Sequence, residues 1–200
     1  MMARLSFNTE NSSNIILVTA IILIISSLFM PLVFVYIIQD YLYLSADKWF
    51  YDTPSSAYVI FMIGMLWIAV ALFLHLFFAW KFEWKGIKWI TLLIMLGCLP
   101  FFMFGVSNYY YLDNQGMHFN DYKTFNTVNS YYWEDVKEAK EIFVKSNGVT
   151  VVDHLNLVTK AGEVIELPYN SKVQNNRFKI MEKLQENNIP LTNNMGDLYE

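Results

Sequence analysis

Two hundred residues, 55% of them hydrophobic and 16% charged, with a mean hydropathy of +0.29, form too apolar a chain for an ordinary soluble domain of this size. The single cysteine, Cys98, excludes a disulfide framework and a thiolate-rich zinc site. A net charge of -4 argues against nucleic acid as a partner, because phosphate binding requires a basic footprint.

After an N-terminal tail of residues 1–14, the apolar surplus concentrates in residues 15–106, in three segments. The first, about Ile15 to Ile38, is long enough to cross the roughly 30 Å hydrocarbon core of a bilayer, and Pro31 is the expected site of a bend. It is too long for a cleavable leader and lacks a small-residue cleavage motif, so it is read as a retained span. The second runs from about Tyr58 to Trp80 and the third from about Ile87 to Val106, joined by the short polar link KFEWKG. Such a link predicts an antiparallel helical hairpin with Trp80, Trp84 and Trp89 at one interface, and Tyr41, Tyr43, Trp49 and Tyr51 as a second aromatic belt. None of the three segments keeps the polar face of a soluble amphipathic helix. Arg4, Lys81, Lys85 and Lys88 on one side, against Lys48 and Lys123 on the other, place the N-terminus and the link in the cytoplasm and the C-terminus outside.

Composition changes after Val106. Residues 107–200 hold nine basic and thirteen acidic side chains, so this part carries the whole net charge. Its first two thirds read as short strands: NYYYL, QGMHF with Gly116 in a tight hairpin, SYYWEDV, KEIFVK, then Asn147 and Gly148 as a turn into VTVVDHLNLV, and Ala161 and Gly162 as a turn into EVIEL. In the last third Ser171 and Gln174 fit a capping box, and Val173, Phe178, Met181 and Leu184 recur at helical spacing. The fold class expected is therefore a three-helix membrane region followed by a small α+β domain, an antiparallel sheet closed by one C-terminal helix.

The hairpin YYYLDNQGMHF, the stretch YYWEDV, the pair VVDHLNLVTKAGEVIELP and the capped helix together resemble the bacterial pleckstrin-homology-like (PH-like) domains that follow transmembrane hairpins in small membrane proteins. The feature leaned on is Tyr132, Trp133, Glu134, Asp135 and Val136. The resemblance covers about the last 95 residues and the preceding hairpin; the extra span and the external domain depart from it. It implies a fold and an interaction role, and no activity.

His75 is the ionisable side chain well inside a span, about 7 Å below the interface by helix rise, and is the candidate intramembrane polar site. The simpler reading is a hydrogen bond to a neighbouring helix, since a proton relay needs a second intramembrane acid or base and none is present. Cys98, Gly97, Pro100 and Gly105 read as packing and kink positions. His118 and His154, with Asp113, Asp121 and Asp153, lack metal-ligand spacing. Glu134 and Asp135 read as a solvated turn, and Trp133 as a core anchor or a partner surface. Lys172, Arg177, Lys179 and Lys183 are interleaved with Glu182 and Glu186, which disfavours an anionic headgroup site. No nucleophile, phosphate-loop or dinucleotide motif is present. The expectation is a multi-pass membrane protein without catalysis, metal or cofactor, acting as an accessory or scaffolding subunit. Its partners are the bilayer and a membrane protein or a second copy. The alternatives are a component of a small oligomeric transporter or channel, and an immunity-type protective protein. Twelve lysines against two arginines, with abundant Asn and Ile, fit an AT-rich bacterial genome.

Overall fold

The computed structural model describes residues 2–43, 45–82, 86–121, 127–146 and 148–198, the side chains of residues 2–11 and 197 excepted. Trp84, Lys85, Lys123 and Asn147, and the side chain of Arg4, therefore lie outside the described residues. The chain divides into two compact units, one of Met1–Leu44, Thr53–Tyr109 and Asn120–Thr127, the other of Ser45–Asp52, Tyr110–Phe119 and Val128–Glu200.

The first unit is helical: α1 (Met2–Ser26), α2 (Met30–Tyr43), α3 (Ser55–Lys81), α4 (Ile87–Leu96) and α5 (Leu99–Val106). The segment expected as one span, Ile15 to Ile38, is broken. Ser12–Ser26 and Met30–Tyr43 meet at 74°. Pro31, in the first turn of α2, offers no backbone donor to the preceding turn; one turn earlier the Leu28 amide bonds the Ile25 carbonyl at 3.4 Å and the Ser27 hydroxyl donates to the Ile24 carbonyl at 2.7 Å, a back-bond of the kind that bends helices. Among the described residues two helical stretches are long and apolar enough to cross a membrane: Ser55–Lys81, of 27 residues with hydropathy 2.5, and the 20 residues Ile87–Val106 with hydropathy 2.2. The second of these is interrupted at Gly97 and Cys98, just ahead of Pro100. There the Ile94 carbonyl accepts from the Gly97 amide at 3.0 Å and also from the Trp67 indole at 2.7 Å. At Gly105 an added Cβ would sit 3.0 Å from the Ala57 carbonyl, and Phe61 and Phe102 stack beside it with centroids 4.6 Å apart, so α5 packs on α3 through the small-residue contact the sequence predicts.

The second unit begins between α2 and α3. Ser45–Asp52 contributes β1 (Phe50–Asp52), which the sequence reading had assigned to an interfacial loop. With β2 (Tyr109–Leu112), β3 (Gly116–Asn120) and β4 (Val128–Tyr132) it makes a sheet of order β1-β2-β3-β4. β1 pairs antiparallel with β2, Phe50 opposite Leu112 and Asp52 opposite Tyr110. Trp49 packs against the unit's core. Tyr51 thus lies in a strand and Trp49 immediately before it. The second sheet, β7-β6-β5-β8, is built from β5 (Val136–Ser146), β6 (Val149–Thr159), β7 (Val164–Pro168) and β8 (Leu191–Asn193). The β5–β6 and β6–β7 hairpins turn at Gly148 and Gly162, with φ of 80° and 87°, where glycine avoids the left-handed penalty. β8, which follows Pro190 and runs parallel to β5, was not legible as a strand.

The closing helix is two pieces, α6 (Ser171–Asn175) and α7 (Arg177–Glu186). Its cap is Asn170, whose side chain accepts from the Val173 amide at 3.0 Å, so Ser171 is already inside the helix and the expected capping box is corrected by one residue. Val173, Ile180 and Leu184 form its buried face, whereas Phe178 is 80% exposed; the break at Asn176 shifts the helical phase and turns Phe178 outward. With Leu112, Met117, Trp133, Val136, Ala139, Leu155, Leu157, Ile165 and Leu167 these residues make one core. Gly116 is needed for closeness and not for the turn: an added Cβ would lie 2.1 Å from the Tyr131 carbonyl of β4. Gly116→Ala is expected to destabilise this unit by about 3 kcal/mol, the upper end for overpacking, read as a lowered unfolding temperature in detergent.

Candidate functional site

In the first unit the polar chemistry sits at helix ends and between helices. Gln39, 1% exposed on α2, donates through Nε2 to the Val106 carbonyl at 2.9 Å and the Asn108 carbonyl at 3.1 Å, and its Oε1 accepts from the Thr53 hydroxyl. Asn108 in turn donates to the Ser56 hydroxyl at 2.8 Å. One side chain thus satisfies both carbonyls at the end of α5 and ties them to the residues that open α3. His75, the candidate intramembrane residue, lies half-buried with Nδ1 2.8 Å from Thr91 Oγ1 on α4. Because the Thr91 hydroxyl gives its proton to the Ile87 carbonyl at 2.9 Å, the imidazole donates from Nδ1. That is the helix-to-helix hydrogen bond of the simpler reading.

In the second unit Asp52 on β1 is the convergence point that the sequence reading missed. Its Oδ2 accepts from the Tyr110 hydroxyl at 2.8 Å and from the Asn170 amide, and its Oδ1 lies 2.8 Å from the Lys172 ammonium. Burial pushes the Asp52 carboxyl up, but the Lys172, Tyr110 and Asn170 donors together outweigh it and hold the carboxyl below its ordinary value. The same burial, with the Asp52 charge, raises the Tyr110 hydroxyl. Only the distant spacing of these residues in the chain hid the cluster; no local motif announces it.

The histidines are split. His118, 6% exposed on β3, places Nδ1 2.8 Å from the Ser130 hydroxyl on β4, stacks on Tyr111 at 4.6 Å, and approaches Asp113 at 3.2 Å without hydrogen-bond alignment at Nε2. Asp113 Oδ1 is already engaged by the Gln115 and Gly116 amides. A serine nucleophile requires an aligned base and orienting acid, and this chain of contacts instead pins neighbouring strands. His154 meets Asp153, at 2.8 Å on an exposed face. Among the described residues no group of three or more His, Cys, Asp or Glu side chains is arranged to hold a metal ion. The basic helix residues are committed within the unit: Lys172 to Asp52, Arg177 to Glu141 at 2.9 Å, Lys183 to Glu186 at 2.7 Å, and Lys179 over the Trp49 ring at 5.7 Å.

Trp133 is 2% exposed and donates through its indole to the Asp113 carbonyl at 3.1 Å, which makes it the core anchor of the two readings. It opens a short 3-10 turn, Trp133–Asp135, that presents Glu134 and Asp135 to solvent. Beside this turn is a cleft of about 420 Å³ lined by Asn114, Gln115, Tyr132, Trp133, Glu134 and Asn187. No family model, curated protein or solved structure matches the chain.

Two predictions follow from the buried polar groups. Gln39→Leu leaves the Val106 and Asn108 carbonyls unpaired and is expected to cost about 2–4 kcal/mol, seen as a drop in unfolding temperature in detergent. For Asp52 the folded value lies below the ordinary 3.8, so the unfolded chain takes up the proton first as pH falls. Its contribution is complete above that value and is lost as pH drops through the depressed folded value. Lys172 is half exposed and its share is screened by solvent. Asp52→Asn is therefore expected to cost about 2 kcal/mol at neutral pH, with a difference from the parent that shrinks on the acid limb of a melting-temperature profile.

Proposed function

We propose that the chain is an integral membrane protein of three spans that presents a small PH-like interaction domain, acting as an accessory or scaffolding subunit without catalysis of its own. The observation that carries this reading is the pairing of β1 with β2, Asp52 opposite Tyr110, on either side of the apolar hairpin α3–α5. Two residues separate β1 from α3 and two separate α5 from β2. The hairpin is thus an insertion between neighbouring strands, and a chain that leaves a sheet and returns to it must cross the bilayer an even number of times. The bent pair α1–α2 supplies the third span in this reading, a broken one.

Four strands in a meander, three more in a second antiparallel set and a helix after them support the PH-like assignment, which brings an interaction role and no chemistry. The commitment of His118, Asp113 and the helix cations to internal partners supports binding over catalysis and over anionic lipid recognition. The charge asymmetry around the helices supports a cytoplasmic N-terminus and hairpin link, with the domain outside.

Orientation is tested in a Cys98→Ser background carrying Ser171→Cys, an exposed position at the start of α6. An impermeant thiol reagent is expected to label intact cells; labelling only after lysis reverses the orientation. The accessory role is tested by purification in mild detergent, where a stoichiometric membrane-protein partner or a homo-oligomer is expected and a clean monomer counts against the reading.

A further inference from the structure

In the second unit a cleft beside Trp133 gathers polar side chains at the surface. Of its six lining residues, the Trp133 indole and the Asn187 amide are occupied, by the Asp113 and Lys183 carbonyls. The side chains of Asn114, Gln115, Tyr132 and Glu134 make no hydrogen bond among the described residues, and all four are exposed at its walls. They come from separate places: the β2–β3 hairpin tip, the end of β4 and the 3-10 turn. The hairpin tip is rigid, since Asp113 Oδ1 holds the amides of Gln115 and Gly116 and Gly116 lies against the β4 backbone. The opposite wall is fixed by Trp133 in the core and by the Lys160 ammonium, which donates to the Glu134 carbonyl at 2.6 Å.

We propose that this cleft is a binding site for a neutral polyhydroxylated ligand, a saccharide. At about 420 Å³ it falls within the size range of small-molecule sites, roughly 300–1,000 Å³. Two amides that both donate and accept, a phenol that does both and a carboxylate that accepts match vicinal hydroxyls, each of which also donates and accepts. The Tyr132 ring, 44% exposed, offers an apolar face to the C–H face of a sugar ring while its hydroxyl stays in reach of a polar edge. Charge narrows the class further. No cation lines the walls, so a phosphate or carboxylate ligand finds no counter-charge there. One carboxylate and one accessible aromatic face fall short of the cage that an organic cation requires. The lining is too polar for an acyl chain.

The test is saturation-transfer NMR on the full chain in a sugar-free detergent, with maltose, cellobiose and chitobiose as probes, and choline chloride and inorganic phosphate as charged comparisons. Transfer to at least one disaccharide is expected, weakened about tenfold or more in the double variant Gln115→Ala, Tyr132→Ala, whose truncated side chains are exposed and leave the unfolding temperature unchanged. Glu134→Gln, which keeps an acceptor and removes the charge, is expected to retain disaccharide binding within about threefold. The proposal is overturned by the absence of transfer from all three disaccharides, by transfer undiminished in the double variant, or by choline or phosphate binding in their place.

Discussion

Three backbone pairs hold the molecule's organisation together: Phe50 with Leu112, Tyr51 with Tyr111 and Asp52 with Tyr110. They join two pieces of chain separated by the whole of α3, α4 and α5 into one sheet. Ladder hydrogen bonds alone are worth little net, because each replaces a bond to water. What secures β1 is side-chain chemistry at both ends. Phe50 enters the core beside Tyr110, centroids 5.7 Å apart, and the Asp52 carboxylate gathers Tyr110, Asn170 and Lys172. A strand of three residues, too short to hold itself, is thereby fixed from three directions.

The helical unit solves a related problem differently. Its surfaces are apolar all round, so hydrophobic burial does not select partners, and small residues and scarce polar groups take over that task. Gly105 admits the Ala57 backbone, the Trp67 indole adds a second donor to the Ile94 carbonyl at the α4–α5 break, Thr91 receives His75, and Gln39 closes the end of α5. Each of these polar side chains places its own hydrogen-bonding group on a partner within an apolar setting, where an unpaired group is costly. His75, the residue most conspicuous by its chemistry, belongs to this structural set.

Much of the fold was legible because it is local. Uninterrupted apolar runs announced α3 and the α4–α5 stretch, turn dipeptides at Gly148 and Gly162 announced the hairpins of the second sheet, and the change in charge after Val106 announced a second unit. The misses are non-local or single-residue events. Phe50–Asp52 carries no strand signal of its own and becomes a strand only because β2 is beside it. β8 exists because β5 offers an open edge. Asn170 displaced Ser171 as the cap, since both are good caps and the strand before them decides which one is free to turn. Gly116 looked like a turn glycine, and the neighbouring strand's backbone explains it instead. At the site level Trp133 was readable as an anchor, whereas the Asp52 cluster and the Gln39 bonds join residues far apart in the chain and left no local trace.

The insertion of a helical hairpin between two adjacent strands also dictates an order of events during synthesis. β1 leaves the ribosome about sixty residues before the strand it needs, which at roughly 5–20 residues per second means several seconds as an unmatched edge. Closure of the sheet waits until the two ends of α3–α5 are brought together. Until then β1 is an open edge, and an unclosed sheet of this kind is vulnerable to proteolysis. The strand made first is thus one that cannot pair until the whole of α3–α5 has been synthesised.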